Sequence, residues 1–332
     1  MPAEEAVIVP YLLRFLLLCL ASFFLVHLAL GLIAWFAART AIGLALRMRP
    51  QTGARLLLAV RLFPAGFALL VVALICAPSY FWLEPKGTPE PIGLAFLSAA
   101  ALGAAGWGLS VGRAILAAAR SVRHIRRFRR AGRETRLPGE ASPVWVIEDP
   151  APRVMLAGLI RPQVVISRKV IAALSSEQLA AVLRHERAHG RSRDNLKRLL
   201  VLLAPGILPF IRGFGALERG WAKITEWAAD DRAAAGDSQR SLTLAAALVR
   251  VARLGAVPSH PPLVTSLMAD GMDLETRVDR LLAATSVATP QSGRAGILPG
   301  SFAIVLGGLL VAAMVHPATL SAAHEFLETL IR

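Results

Sequence analysis

The sequence predicts a mainly α, polytopic membrane protein with four transmembrane helices and a cytoplasmic α+β insert between the third and the fourth. Three observations carry that prediction. Of 332 residues, 55% are hydrophobic and the mean hydropathy is positive, which is too apolar for an ordinary soluble domain. Four runs are long and apolar enough to cross a hydrocarbon core of ~30 Å. Between the third and fourth runs the composition changes to short β-branched segments followed by amphipathic helical patterns.

The first span is expected from Leu12 to Ala38. Arg14 lies near its end, where its charged head can snorkel. His27 is deeper; it is a functional candidate, weighed against a neutral histidine bonded to a neighbouring helix. The second span is expected from Leu62 to Leu83. Pro64 would fall in its first turn, where no intrahelical donor is needed. A short Pro/Gly link leads to the third span, Ile92 to Leu116, whose small residues suit close helix packing. The fourth is expected from Ile297 to Val315. The segment Leu199 to Ile211 is apolar but short and broken by Pro205 and Pro209. It reads as a buried or membrane-grazing element rather than a fifth span.

Charge sets the orientation. The net charge is +15, from 37 basic and 22 acidic residues. Arg39, Arg47, Arg49, Arg55 and Arg61 lie between spans one and two, and a run from Arg113 to Arg130 closes span three. The start carries only acids. The positive-inside rule therefore places the N-terminus outside and the large middle region in the cytoplasm. The arginine run has little aromatic interleaving and abuts a span, so it reads as a topology anchor or anionic-lipid contact, and no direct nucleic-acid partner is expected. Cys19 and Cys76 fall in apolar runs, which argues against a disulfide framework or a cysteine metal site. The acidic start and the length of the first run do not fit a cleavable signal. The expected domains are three transmembrane helices over 1–122, a basic linker over 123–143, a cytoplasmic domain over 144–290, the fourth helix with its linker over 291–317, and a short extracytoplasmic tail over 318–332. Residues Ala318 to Ile331 are weakly amphipathic and suit a membrane surface.

In the middle region, Val144 to Ile147, Arg153 to Ala157 and Val164 to Ser167 read as strands, with Gly158 to Pro162 as a turn. A small antiparallel sheet is expected, and its exposed edge could hold an extended peptide; a plain structural hairpin is the alternative. A helix follows. Ser175 and Gln178 have the spacing of a capping box, Leu179, Val182 and Leu183 form an apolar stripe, and Gly190 offers a stop.

That helix carries His185-Glu186-Arg187-Ala188-His189. Positions four apart share a helix face, so His185 and His189 can present two imidazoles to one metal ion, with Glu186 placed to take a proton from an attacking water. This is the zincin spacing, set against a solvated helix with a chance histidine pair. A catalytic zinc site wants a third protein ligand. Glu226 and Asp230, also four apart, are candidates: Glu226 as ligand, and Asp230 as acceptor from the free ring nitrogen of a ligand histidine. The alternative is a surface acidic pair beside Arg232, and spacing alone leaves both open.

Gly158-Leu159-Ile160-Arg161-Pro162, Leu174-Ser175, the His185–His189 motif, Arg193-Asp194 and Glu226 through Asp230, together with the order of spans, resemble the BlaR/MecR-type integral-membrane zinc metallopeptidases. The resemblance implies a zincin-like insert with Zn2+ held by His185, His189 and Glu226, Glu186 as general base, and Asp230 as the acid shared with the CAAX-prenyl-protease and HtpX-type patterns. Arg193 and Asp194 match a position with a structural role. Only residues 316–332 follow the fourth span, so the penicillin-binding sensor domain of that family is expected to be lacking. What the resemblance implies is a metalloendopeptidase of the bacterial inner membrane acting on a cytoplasmic or membrane-proximal protein, such as a transcriptional repressor in a signalling pathway. Alternatives are a membrane-protein quality-control peptidase and a non-catalytic signalling scaffold with a structural zinc site. The lipid bilayer is a partner in each, and a homo-oligomer is left open. For the oxyanion, Tyr11 and Tyr80 are excluded by their outer position, and His260 or an arginine remain.

Overall fold

The structure of the chain, a computed structural model, describes residues 10–84, 93–137, 142–211, 213–255, 265–266, 274–286 and 313–331. The expected fourth span therefore lies outside the described residues apart from 313–315, and His260 lies outside them altogether. Three helices among the described residues are long and apolar enough to cross a membrane. The first is α1, Tyr11–Phe36, followed by α2, Ala38–Arg47. The second is continuous from Pro50 to Leu83, built from α3 (Pro50–Val71), a π-helical turn (Val72–Cys76) and α4 (Ala77–Leu83). The third is α5, Leu94–Ala131.

Two of these helices extend beyond the expected spans. The second begins at Pro50, so Pro64 sits in its interior and not in its first turn. There the missing N–H removes an intrahelical bond. The helix starts early because residues 50–61 are not a free loop: they pack on α2 and on the helix Gly215–Ala234. α5 has 38 residues, about 57 Å at 1.5 Å per residue, so its arginine-bearing end projects past any hydrocarbon core. Residues 123–131 of the stretch expected as a linker are helix, and residues 132–135 are strand. α1 and α5 touch closely at Gly103, where a Cβ would collide with the carbonyl of Leu20. Arg14 does not snorkel. It is buried and pairs with Glu84 at the end of α4, because two opposite charges at the same depth satisfy each other there. A last helix, Pro317–Ile331, docks at that same end, where Ser79 donates to the carbonyl of Leu320 at 2.9 Å.

At the opposite end lies the α+β region. Strands β1 (Gly132–Thr135), β2 (Val144–Ile147), β3 (Val154–Ala157), β4 (Gln163–Ser167) and β5 (Thr265–Ser266) form one sheet in the order β1-β2-β4-β3-β5. The sheet is mixed, not antiparallel throughout: β2 and β4 run parallel. β3, which borders β4 on one side, is paired on its other side with β5 at Met155 and Leu156. Both faces are covered, and the period-2 alternation of strands sorts the side chains. Val144, Leu156, Val164 and Ile166 pack against the helices α7 (Ser176–Ser192) and α10 (Ser238–Arg253). Ile147, Met155, Ala157 and Val165 pack against Ile125 and Phe128 of α5. The third long helix is thus continuous with the back wall of the sheet.

The other helices of this region are α6 (Arg168–Ala173), α8 (Asp194–Leu203), α9 (Gly215–Ala234), which packs on α7, and α11 (Leu274–Ser286), which packs on α10. α8 has ten residues, about 15 Å, too short to cross a bilayer. The chain after it folds back among the apolar helices. His27 donates to the carbonyl of Gly206 at 2.8 Å, so the bonding partner of this histidine is a connecting segment and not another span. Arg61 is buried, donates to Glu218 at 2.8 Å and to the carbonyls of Val201 and Ala204 at 3.2 and 3.1 Å. These bonds satisfy helix-end carbonyls and keep α9 on the same side as α7.

Candidate metal centre

The helix carrying the histidine motif is capped as its sequence predicts. Ser175 accepts from the Gln178 N–H and the Gln178 side chain accepts from the Ser175 N–H, both at 3.2 Å. Its end differs. Gly190 is inside α7, facing Leu156 and Pro162, and the helix continues to Ser192 before Arg193 takes a left-handed conformation (φ 54°). Such a conformation costs a non-glycine residue about 1 kcal/mol or more. Here it brings Asp194 back under the motif.

His185, Glu186 and His189 are fully buried. His185 Nε2 and His189 Nε2 are 3.2 Å apart, with the rings at 82° to each other. Glu226, from the middle of α9, faces both: Oε2 is 3.4 Å from His185 Nε2 and Oε1 is 3.5 Å from His189 Nε2. Taking one ligand atom from each residue, all three lie within 4.8 Å of one another. The edge of a tetrahedron around zinc, with ligand bonds of ~2.0–2.1 Å, is about 3.3 Å. The donor set of two imidazoles and one carboxylate fits that metal. So does a further observation: both oxygens of Glu186 and both of Glu226 are buried without a hydrogen-bond partner among the described residues. Buried carboxylate oxygens are normally satisfied, and a cation with its water would satisfy these.

Each imidazole is held from behind. His189 Nδ1 donates to Asp194 Oδ2 at 2.8 Å, and His185 Nδ1 stands 2.9 Å from Asp230 Oδ1. Both contacts turn Nε2 toward the shared point. Asp230 is thus where the helical spacing with Glu226 placed it. Asp194, assigned only a structural role from the sequence, is the equivalent residue for His189.

Arg277 is the residue that sequence reasoning missed. It comes from α11, is 4% exposed, and grips Asp230 with two bonds of 2.8 and 2.9 Å. It also lies 3.4 Å from Glu226 Oε2 and 3.5 Å from His185 Nε2. One turn on, Arg280 grips Asp231 at 2.7 and 2.9 Å and lies over the Trp227 ring. The i, i+3 arginines of α11 therefore read two adjacent carboxylates of α9. Only the repeated Arg-x-x-Arg spacing after a Glu could have hinted at this, and that pattern is common on solvated helices.

The electrostatics follow from burial and these pairs. Burial pushes the Glu186 carboxyl up to about 7, against the pull of His185 and His189. Burial would raise Glu226 too, but His189, His185 and Arg277 outweigh it and hold Glu226 well below the usual carboxylate range. Asp230 is likewise brought down to about 2, because Arg277 and His185 overcome its desolvation. Burial would lower His189, yet Glu226 and Asp194 lift it to about 10.

Residues 120–256 match the model of peptidase family M48. The matched stretch covers less than half of the chain. It runs from the last turns of α5 to just beyond α10 and includes His185, Glu186, His189, Glu226 and Asp230, while Arg277 lies outside it. The match supports a metallopeptidase of this family. Among curated proteins, no match to the chain is found.

Proposed function

We propose that the chain is a membrane-embedded zinc-dependent endopeptidase of the BlaR/MecR type, multi-pass in a bacterial inner membrane, with its hydrolytic centre on the cytoplasmic side. The observation that carries the reading is the convergence of His185, His189 and Glu226 beside a buried, unpartnered Glu186. When bound, zinc polarises the scissile carbonyl and lowers the pKa of the attacking water. The chain's own groups do the rest. His189 is held in one tautomer by Asp194, and Asp230 stands behind His185 Nδ1 at 2.9 Å. Glu186, with a pKa near neutrality, takes the proton of the attacking water and passes it to the leaving amine. Arg277 balances Asp230 and Glu226, so that the carboxylates stay ionised and positioned.

The side of the membrane is supported by charge. Arg39 to Arg61 and the arginine end of α5 lie at the same end of the long helices as the metal centre, which the positive-inside rule places in the cytoplasm. The substrate is a protein near that face, with a transcriptional repressor as the signalling version of the reading. A structural zinc site would be closed by four protein ligands; among the described residues three converge here, which favours chemistry over scaffolding.

Glu186→Gln tests the assignment. The expected result is a loss of cleavage of at least ~10²-fold with zinc content unchanged. Equal loss of zinc and activity would contradict the role of Glu186 as base.

A further inference from the structure

Outside the metal centre, a cavity of about 280 Å³ opens where the start of α3 meets α7, α8 and α9. Four cationic side chains line it: Arg55, Arg191, Lys197 and Arg232. One carboxylate faces them, Asp194. That carboxylate is already committed, accepting from His189 on one oxygen and from Lys197 at 2.9 Å on the other. Arg232 donates to the Ser192 hydroxyl. Arg55 and Arg191 have no acidic partner among the described residues. The cavity wall also contains Thr225, 4% exposed, whose hydroxyl has no hydrogen-bond partner among the described residues. A concave site with surplus positive charge and an unsatisfied buried hydroxyl asks for a compact, multiply accepting anion.

Its place in the fold narrows the ligand. The α3 residues that line it, Gln51, Ala54, Arg55 and Leu58, belong to the first turns of the second long helix, at its polar end. With the chain embedded as proposed above, that polar end stands at the level of lipid headgroups and not of the hydrocarbon core. The volume is slightly below the ~300 Å³ at which drug-sized pockets begin, so it suits one headgroup rather than a larger molecule. The contacts between wall and metal centre are direct: Asp194 orients His189, and Thr225 precedes Glu226 in the chain.

We propose that this cavity binds one phosphate group, carried by an anionic lipid at the membrane face or by a free phosphate compound, and that the bound phosphate steadies the residues behind His189 and Glu226. Arg55 and Arg191 supply the unpaired charge, and Thr225 donates its hydroxyl proton to a phosphate oxygen. The proposal rests on the membrane placement proposed above and not on the proteolytic reading, because its test reads binding.

The test uses the full chain in uncharged detergent, titrated with phosphatidylglycerol, with phosphatidylcholine and with inorganic phosphate, and reads bound ligand by native mass spectrometry. Phosphatidylglycerol is expected to be retained over phosphatidylcholine. The double variant R55A/R191A should lose about tenfold or more of that affinity, and Thr225→Val should weaken it. The control R47A/R49A removes exposed arginines of the same region that lie off the cavity and should leave binding unchanged. Retention of the lipid against millimolar phosphate assigns the site to lipid. Phosphate binding that is lost in R55A/R191A, with no preference between the lipids, assigns it to a soluble phosphate compound. Equal binding by R55A/R191A and the unmodified chain, an equal loss in R47A/R49A, or no binding of either anion would overturn the proposal.

Discussion

Replacing Arg277 by Met removes a buried charge while keeping an unbranched apolar stem in its place. In the unmodified chain the guanidinium makes two bonds to Asp230 and approaches Glu226. Breaking a buried pair from one side typically costs ~3–5 kcal/mol, since the other charge is stranded. The depression of Asp230 from 3.8 to about 2 gives an independent scale of about 2.5 kcal/mol at ~1.36 kcal/mol per pKa unit, part of it owed to His185. About 3 kcal/mol is therefore expected. For a folding unit of 150–250 residues that is a drop of roughly 6–12 °C in thermal midpoint, to be measured on metal-free protein in mild detergent. The sign with pH is fixed. A carboxylate whose folded pKa is depressed contributes fully above its unfolded value and loses that contribution as pH falls through the folded one. The gap between Arg277→Met and the unmodified chain should be full at pH 7 and shrink between about pH 4 and pH 2. A midpoint change below about 3 °C at pH 7, or a gap that widens in acid, would refute the role given to Arg277.

Other expectations concern the ligands. Asp194→Asn should lower zinc affinity ~10–100-fold by loosening the tautomer and orientation of His189; competition against a chelator measures it, and an unchanged Kd would remove Asp194 from the metal's support. Zinc uptake should release protons, because in the metal-free protein His189 keeps its proton up to about pH 10 and only neutral imidazole ligates. Affinity should thus rise with pH from 7 to 9, by up to about tenfold per unit for each proton released. Calorimetry in two buffers of different ionisation enthalpy reads the number, and zero release at pH 7 would contradict the site. Glu226→Ala should fold and lose the metal, checked by zinc content after dialysis.

What could be read from the sequence about the site was whatever one helical turn controls. His185, Glu186 and His189, the capping box at Ser175 and Gln178, and the shared face of Glu226 and Asp230 are local periodicities, and they reappear in the structure at the expected positions. The strand alternation of residues 144–167 was equally legible, but its pairing was not: the parallel register of β2 with β4 and the cover of β5 over β3 depend on how distant segments meet. The helix ends were misjudged at Gly190 and Pro64 because contacts with other elements, not local propensity, decide where α7 stops and where α3 begins. The third ligand remained an even choice on spacing alone; only the packing of α9 on α7 brings Glu226 between the imidazoles. Asp194 needed a left-handed Arg193, and Arg277 arrives from 92 positions beyond His185. Periodicity sets which side chains share a face. The meeting of two faces is a free-energy balance over the whole buried core, and no local stretch encodes it.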